Sequence, residues 1–242
     1  LTTNERPKMK LRPWLAHWFS LRFTQRHMIM QSIALSNKVV TLTGRMSIFR
    51  SKMVLNDTFI DLIEKDSLYH WLWGRFRFLS GDDKSSWYAL LKLGSDMLYV
   101  PDALVYTIEE IDVEVSSFHR LKENMLRWSG NILRNGWRGI RLGPRKVGLF
   151  AWWFLVDQRI IMFSMLCAPF LMISGTVIVS ASFVLVYLVW ILFSRLCLSL
   201  CLFYHNRKMD MTFPFLLFFN QILTAAFKVY LLFRLPMQKW AN

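Results

Sequence analysis

Three groups of residues in this chain have types and spacings suited to chemistry. Asp82 and Asp83 follow Gly81 as an acidic pair at the start of an expected helix, and Thr43-Gly44-Arg45 interrupts an apolar stretch. Asn124-Met125-Leu126-Arg127-Trp128 lies on a basic stretch with helical period. Moving a sugar from a nucleotide donor to a hydroxyl needs a base for that hydroxyl and cationic help for the departing diphosphate. Asp83 suits the base, with Asp82 beside it, because a carboxylate near a helix start acts where the geometry holds the hydroxyl. Arg127, with Asn124 one turn before it, suits a diphosphate oxygen, since a guanidinium offers several donors in a fixed fork. Trp128 suits a sugar face, an indole being a flat apolar platform. Gly44 lets a chain end come close to the backbone. Taken singly, each has a plainer reading: Gly-Asp-Asp as a turn with a helix cap, Arg-Trp as an anchor at a membrane interface. The order of the set, followed by an apolar C-terminal half, points to a transferase at a membrane surface.

Composition requires the two halves to be read separately. Of 242 residues, 54% are apolar, the mean hydropathy is +0.30, and the excess is concentrated after position 148. The net charge is +14. Eight Arg or Lys and a single acid, Glu123, fall between 119 and 147, directly before the apolar run. Bases in that place face a cytoplasmic leaflet, so the expected partner is a lipid bilayer and not nucleic acid. Cys167, Cys197 and Cys201 all lie in apolar segments and read as small hydrophobes; no His or carboxylate cluster joins them, so neither a metal site nor a disulfide framework is expected. Leu1-Thr2-Thr3 reads like the inside of a domain, and the chain is expected to be a fragment.

The elements that must position these residues can be read in outline. Residues 1–30 open polar and continue as a Trp/Phe/Leu-rich helix from Trp14 to Met30, lying in the headgroup region or facing a core. Val39–Leu42 reads as a short strand before Gly44. Asn56 or Asp57 caps a helix towards Lys65, Phe76–Leu79 reads as a strand, Asp83–Lys92 as a helix closed by Gly94, and Met97–Val100 as a strand before Pro101. This alternation indicates an α/β layer over residues 1–117. Leu121, Met125, Trp128 and Ile132 mark one face of a helix from Phe118 to Arg134, and Gly136, Gly139, Gly143 and Pro144 suggest a hinge-like connector, making 118–147 a basic interface helix and connector.

Membrane spans are expected within 148–204, near Ile160–Val179 and Ala181–Phe203, with Arg195 a flag for a lined channel. The charge-free turn between them lies outside and Arg207/Lys208 inside by the positive-inside rule. Within 205–242, Met211–Leu232 has bases at both flanks, which favours an interfacial or re-entrant helix over a third span.

The chain resembles the later part of the family 2 processive glycosyltransferases, which include cellulose, chitin and hyaluronan synthases. Thr41-Leu42-Thr43-Gly44-Arg45 with Arg50 is similar to that family's acceptor-binding strand and loop, FFCGS followed by Arg. Ser80-Gly81-Asp82-Asp83 is similar to its TED or GDD motif, whose last Asp is the catalytic base. Asn124 to Trp128 is similar to QxxRW on the second interface helix, with Asn124 one methylene shorter than the Gln, and Phe233 to Trp240 is similar to the gating loop. Asn4-Glu5-Arg6-Pro7, His70-Trp71-Leu72-Trp73-Gly74 and Met97 to Pro101 bring it nearest to the alginate-polymerising (mannuronan) branch. The resemblance implies the C-terminal half of a GT-A-like α/β glycosyltransferase with interface helices, followed by transmembrane helices. It implies inverting transfer of mannuronate from GDP-mannuronate to a growing polysaccharide, export through a membrane pore, and a bacterial inner-membrane location with the catalytic part cytoplasmic. It also implies a cyclic-di-GMP-binding co-polymerase subunit. Glucose or N-acetylglucosamine from a UDP-sugar, or a non-catalytic membrane anchor, are the alternatives. A divalent cation, Mg²⁺ in the family, is held by a DxD that precedes the region present here. No DxD occurs in this sequence, so the chain alone is expected to be inactive.

Overall fold

The computed structural model describes residues 1–9, 13–77, 82–109, 116–178, 180, 182–207 and 210–235. In chain order these form β1 (Thr2–Met9), α1 (Pro13–Ala34), α2 (Ser51–Val54), α3 (Asp57–Glu64), β2 (Ser67–His70), β3 (Gly74–Arg77), α4 (Asp82–Lys92), β4 (Tyr99–Glu109), α5 (Ser117–Leu142), α6 (Pro144–Val147), α7 (Leu149–Ile178), α8 (Ser182–His205) and α9 (Phe213–Arg234). An α/β part thus precedes three long apolar helices, α7, α8 and α9, each long and apolar enough to cross a membrane.

The polar opening is a strand. β1 runs parallel to β4, with Thr2 opposite Tyr99 and Met9 opposite Glu109. Its first four residues, Thr2 to Glu5, are polar and buried, and they find partners: Thr3 Oγ1 donates to Met46 O at 3.2 Å, and Asn4 Nδ2 to Pro101 O at 3.1 Å. β4 continues past the expected stop at Pro101, since the register slips between Thr3 and Asn4 and the proline sits in that bulge, where its missing N–H costs nothing.

Val39–Leu42 forms no strand. Val39 and Leu42 reach the core, and the Val39 carbonyl is satisfied by a side chain from α4, Trp87 Nε1 donating to it at 2.7 Å. β2 and β3 make a hairpin closed by Gly74 at φ 68, a left-handed position that a glycine takes without strain. The expected strand at Phe76–Leu79 is realised in β3 up to Arg77, and the rest of it lies outside the described residues.

α1 is a core helix. Leu15, Trp18, Phe19, Leu21, Met30 and Ile33 are buried, so one face of this segment packs inside the protein. α4 sits over Met30, Val39, Leu42, Met97 and Leu155 through Trp87, Leu90 and Leu91. α5 begins at the Ser116 cap, whose hydroxyl accepts from His119 N, and ends at Gly143 at φ 79.

Gly136 and Gly139 are not a hinge. They lie inside α5, where they let α7 approach: a Cβ on Gly139 would stand 2.6 Å from Leu155 Cδ1 and 3.2 Å from Trp87 Cη2. On Gly136 it would meet only ordinary contacts at 3.7 and 3.8 Å. Gly139→Leu is therefore expected to destabilise by about 1–3 kcal/mol through overpacking. Gly136→Ala should be neutral or gain up to about 1 kcal/mol of helix propensity. The thermal midpoint in detergent checks both, and equal shifts would contradict this packing.

α7 is 30 residues long, or about 45 Å, and starts well before the expected Ile160. Its first turns bury Ala151 and Leu155 against the α/β part, while Phe170, Leu171, Val177 and Ile178 further on are exposed apolar surface of the kind lipid covers. α8 is similarly exposed. α9 is one continuous helix of 22 residues, long and apolar enough to cross a membrane. It buries Phe213, Leu217, Asn220, Ala225, Lys228 and Leu231 against its neighbours. At its end, His70 Nε2 donates to Leu232 O at 2.7 Å and Trp73 Nε1 to Phe233 O at 2.8 Å, tying the β2–β3 hairpin to α9. The expected gating-type loop falls largely on residues 236–242, outside the described residues.

Candidate functional site

A cavity of about 570 Å³ opens between the α/β part and the helices α1, α5, α7 and α9. Asp83, Gly44, Arg45, Arg127 and Trp128 all line it, so three separate stretches of sequence deliver their singled-out residues to one place. Asp83 stands in the first turn of α4 with its side chain 26% exposed, and Lys84 Nζ lies 3.2 Å from its Oδ2. Lys84 also donates to the Thr41 hydroxyl. Burial lowers the Lys84 pKa, and the Asp83 charge opposes that shift. The side chain of Asp82, and Gly81 entirely, lie outside what the structure describes.

Gly44 faces the acid directly. A Cβ there would be 3.7 Å from both Cγ and Oδ2 of Asp83, an ordinary contact that admits alanine. Thr43 has a different place. It is buried, exchanges a 2.7 Å hydrogen bond with Thr2 Oγ1, donates from its hydroxyl to Met46 O at 2.8 Å, and does not line the cavity. Arg45 is exposed at the rim, its Nε 3.7 Å from Glu5 Oε1. Glu5 also accepts from Arg26 Nη2 at 2.7 Å and from the Thr107 hydroxyl.

On α5, Arg127 is exposed while Asn124, one turn before it, is buried and accepts from Arg127 Nη2 at 2.8 Å. Asn124 thus orients the guanidinium and does not itself face the cavity. Trp128 is half-buried, stacked on Trp18 at 5.7 Å and 9°, with Phe19 and Phe23 edge-on. Trp18 is held in turn by its indole N–H, which donates to Asn220 Oδ1 at 2.9 Å. An aromatic ring fixed in this way presents a defined face at low entropic cost.

α4 and α5 are joined behind the cavity by a buried charge network. Arg138 Nη2 pairs with Asp66 Oδ1 at 2.6 Å, Ser85 Oγ donates to Asp66 Oδ2 at 2.7 Å, and the Arg138 guanidinium lies 3.6 Å over the Tyr88 ring.

Several lining residues had no role on sequence grounds: Lys84, Glu5, Arg22, Arg26 and, on α9, Asn220, Gln221, Thr224 and Lys228. The signal for the α9 set was polar residues within an apolar helix, at a spacing that puts 220, 224 and 228 on one face. Arg195 is not among the lining residues and reaches Met165 Sδ at 4.0 Å. Cys167, Cys197 and Cys201 are free and exposed.

Among the described residues no three His, Cys, Asp or Glu side chains group as a cation site. Among the described residues the cavity's carboxylates are Asp83 and Glu5, each paired with a cation. These residues do not fit a divalent ion.

Against curated proteins, the chain is 43% identical over all 242 residues to "Glycosyltransferase alg8" of Pseudomonas syringae pv. tomato, covering 49% of that protein. It is 42% identical over 222 residues, 92% of this chain, to "Glycosyltransferase alg8" of Azotobacter vinelandii, covering 45% of it. The chain therefore spans about half the length of the curated relatives it matches. No solved structure matches it. Residues 1–131 match the family described as "Glycosyltransferase like family 2", over more than half of the chain and including every singled-out residue from Thr43 to Trp128. The chain belongs to glycosyltransferase family 2.

Proposed function

We propose that this chain forms the acceptor side of a membrane-embedded processive glycosyltransferase that polymerises mannuronate from GDP-mannuronate into alginate. Asp83 takes the proton from the acceptor 4-hydroxyl as that oxygen attacks the anomeric carbon with inversion. Lys84 beside it steadies the carboxylate. Arg127, aimed by Asn124, meets the departing diphosphate, whose developing charge a fixed guanidinium stabilises. Trp128 carries the sugar at the chain end, and Gly44 and Arg45 flank it. The new polymer leaves through the space between α1, α5, α7 and α9. The protein sits in the bacterial inner membrane with its α/β part in the cytoplasm, beside a cyclic-di-GMP-binding co-polymerase subunit.

The observation that carries this reading is the convergence of Asp83, Gly44, Arg127 and Trp128 on one cavity that continues between helices able to cross a membrane. The 43% identity to a protein named as a glycosyltransferase supports the reaction class. Radiolabelled-sugar incorporation in membranes carrying the full-length enzyme and its co-polymerase tests it. GDP-mannuronate, UDP-glucose and UDP-N-acetylglucosamine are offered in parallel. Polymer from GDP-mannuronate alone is expected, and polymer only from a UDP-sugar would move the substrate.

A smaller test concerns the approach of Gly44 to Asp83. Gly44→Ala should retain substantial activity, since its methyl fits, whereas Gly44→Leu should stop chain growth without lowering the thermal midpoint, because the added atoms occupy open cavity. Full activity of Gly44→Leu would remove the acceptor from this loop.

A further inference from the structure

Among the described residues six cations and two carboxylates line the cavity. Arg26 and Arg45 face Glu5, Lys84 faces Asp83, and Arg127 donates to Asn124. Arg22 and Lys228 remain. Lys228, on α9, is 3% exposed and among the described residues donates to neutral groups, Gln158 O at 3.2 Å and Gln158 Oε1 at 3.0 Å. Arg22, on α1, is half-buried with its guanidinium 5.7 Å from the centre of the Trp128 ring, and burial, with Arg26 adding to it, pushes its pKa down to about 10. Neither has an ion pair with a carboxylate among the described residues.

The charged groups near Lys228 are Arg22, Arg159 and Asp157. Asp157 faces a separate shallow cavity with Met28 and Trp153, and Arg159 is turned to Leu133 O. A cation held out of water without a counter-charge is costly, and a helix needing only to pack there would be better served by Leu or Met. An ammonium has three donors, and Gln158 occupies two of them. Next to Lys228 on the same α9 stripe, Gln221 Oε1 and Thr224 Oγ1 are buried, line the cavity, and have no hydrogen-bond partner. Cation, amide and hydroxyl left open around one space are complementary to a ligand that is both hydroxylated and anionic.

We propose that Arg22 and Lys228, with Gln221 and Thr224, form a carboxylate-binding subsite for the acceptor chain, so that the cavity selects a uronate polymer over a neutral one. The inference rests on the reading of this cavity as the acceptor path. Arg22 takes a carboxylate of the sugar next to Trp128, and Lys228 takes one further along α9. Gln221 and Thr224 bond the ring hydroxyls between them.

The test measures binding of an oligomannuronate and of its carboxyl-reduced, neutral counterpart to the purified full-length enzyme with its co-polymerase. The wild type is expected to bind the uronate form more tightly by roughly tenfold to a hundredfold, as one or two charge-assisted hydrogen bonds imply. Lys228→Met and Arg22→Gln each narrow that difference, Lys228→Arg restores it, and none lowers the thermal midpoint, because an unpaired buried charge has been removed or kept. Trp128→Ala weakens both ligands alike. If the wild type binds both equally and Trp128→Ala weakens both, the acceptor path stands and the subsite is wrong. If Lys228→Met and Arg22→Gln instead lower the midpoint and leave the preference intact, the two cations are structural and the subsite is again wrong. If neither oligosaccharide binds, or Trp128→Ala changes nothing, the acceptor path itself fails and the subsite with it.

Discussion

Asp83→Asn in the full-length enzyme is expected to lower polymer synthesis by about 10²–10⁴-fold while leaving the protein folded and inserted. Asparagine keeps the shape and still accepts a hydrogen bond, but it cannot take a proton. Lys84 then loses the anion 3.2 Å away and keeps only the Thr41 hydroxyl, so a small fall in thermal midpoint should accompany the loss. Incorporation of labelled sugar, normalised to enzyme in the membrane, measures the effect. Retention of more than about a tenth of the wild-type rate would be too much for a general base and would remove Asp83 from that role.

The second large effect is on stability and then on geometry. Asp66 is 4% exposed, lies outside the cavity lining, and is the point where Ser85 of α4 and Arg138 of α5 meet. Asp66→Ala leaves the Arg138 charge without its partner and is expected to cost about 3–5 kcal/mol. Because α4 carries Asp83 and α5 carries Arg127 and Trp128, activity should fall with it. Adding Arg138→Met should return part of the lost stability, since the pair is then removed together. Thermal unfolding in detergent reads both variants. A double mutant as unstable as the sum of the singles would mean that the two residues do not act as a pair.

What the sequence disclosed, and what it hid, follows from the kind of signal each element carries. Asp83, Gly44, Arg127 and Trp128 were legible because short motifs in a fixed order bear on one chemistry, and they meet in one cavity. β1 was illegible because Thr2, Thr3, Asn4 and Glu5 are polar. They are buried only because Thr43, Met46, Pro101 and Arg26 satisfy them from distant parts of the chain. Val39–Leu42 shows the reverse: its apolar side chains read as a strand, but the Val39 carbonyl accepts from the Trp87 indole and not from a ladder. Gly136 and Gly139 read as breakers, yet the close passage of Leu155 makes Gly139 a packing residue inside a helix. Thr43 shares the loop of Gly44 but turns its hydroxyl inward. Lys228 was visible as a charge in an apolar helix, but Gln158 and Arg22, which give it meaning, come from other helices.

On the proposed function the growing chain ends at Asp83 and runs past Trp128 between the helices. An electron cryomicroscopy structure of the full-length enzyme with its co-polymerase and a bound oligomannuronate is the decisive measurement. Sugar density is expected in this cavity, with the terminal hydroxyl about 3 Å from Asp83 and a ring against Trp128. Sugar bound elsewhere, with the space between Asp83 and Trp128 empty, would contradict it.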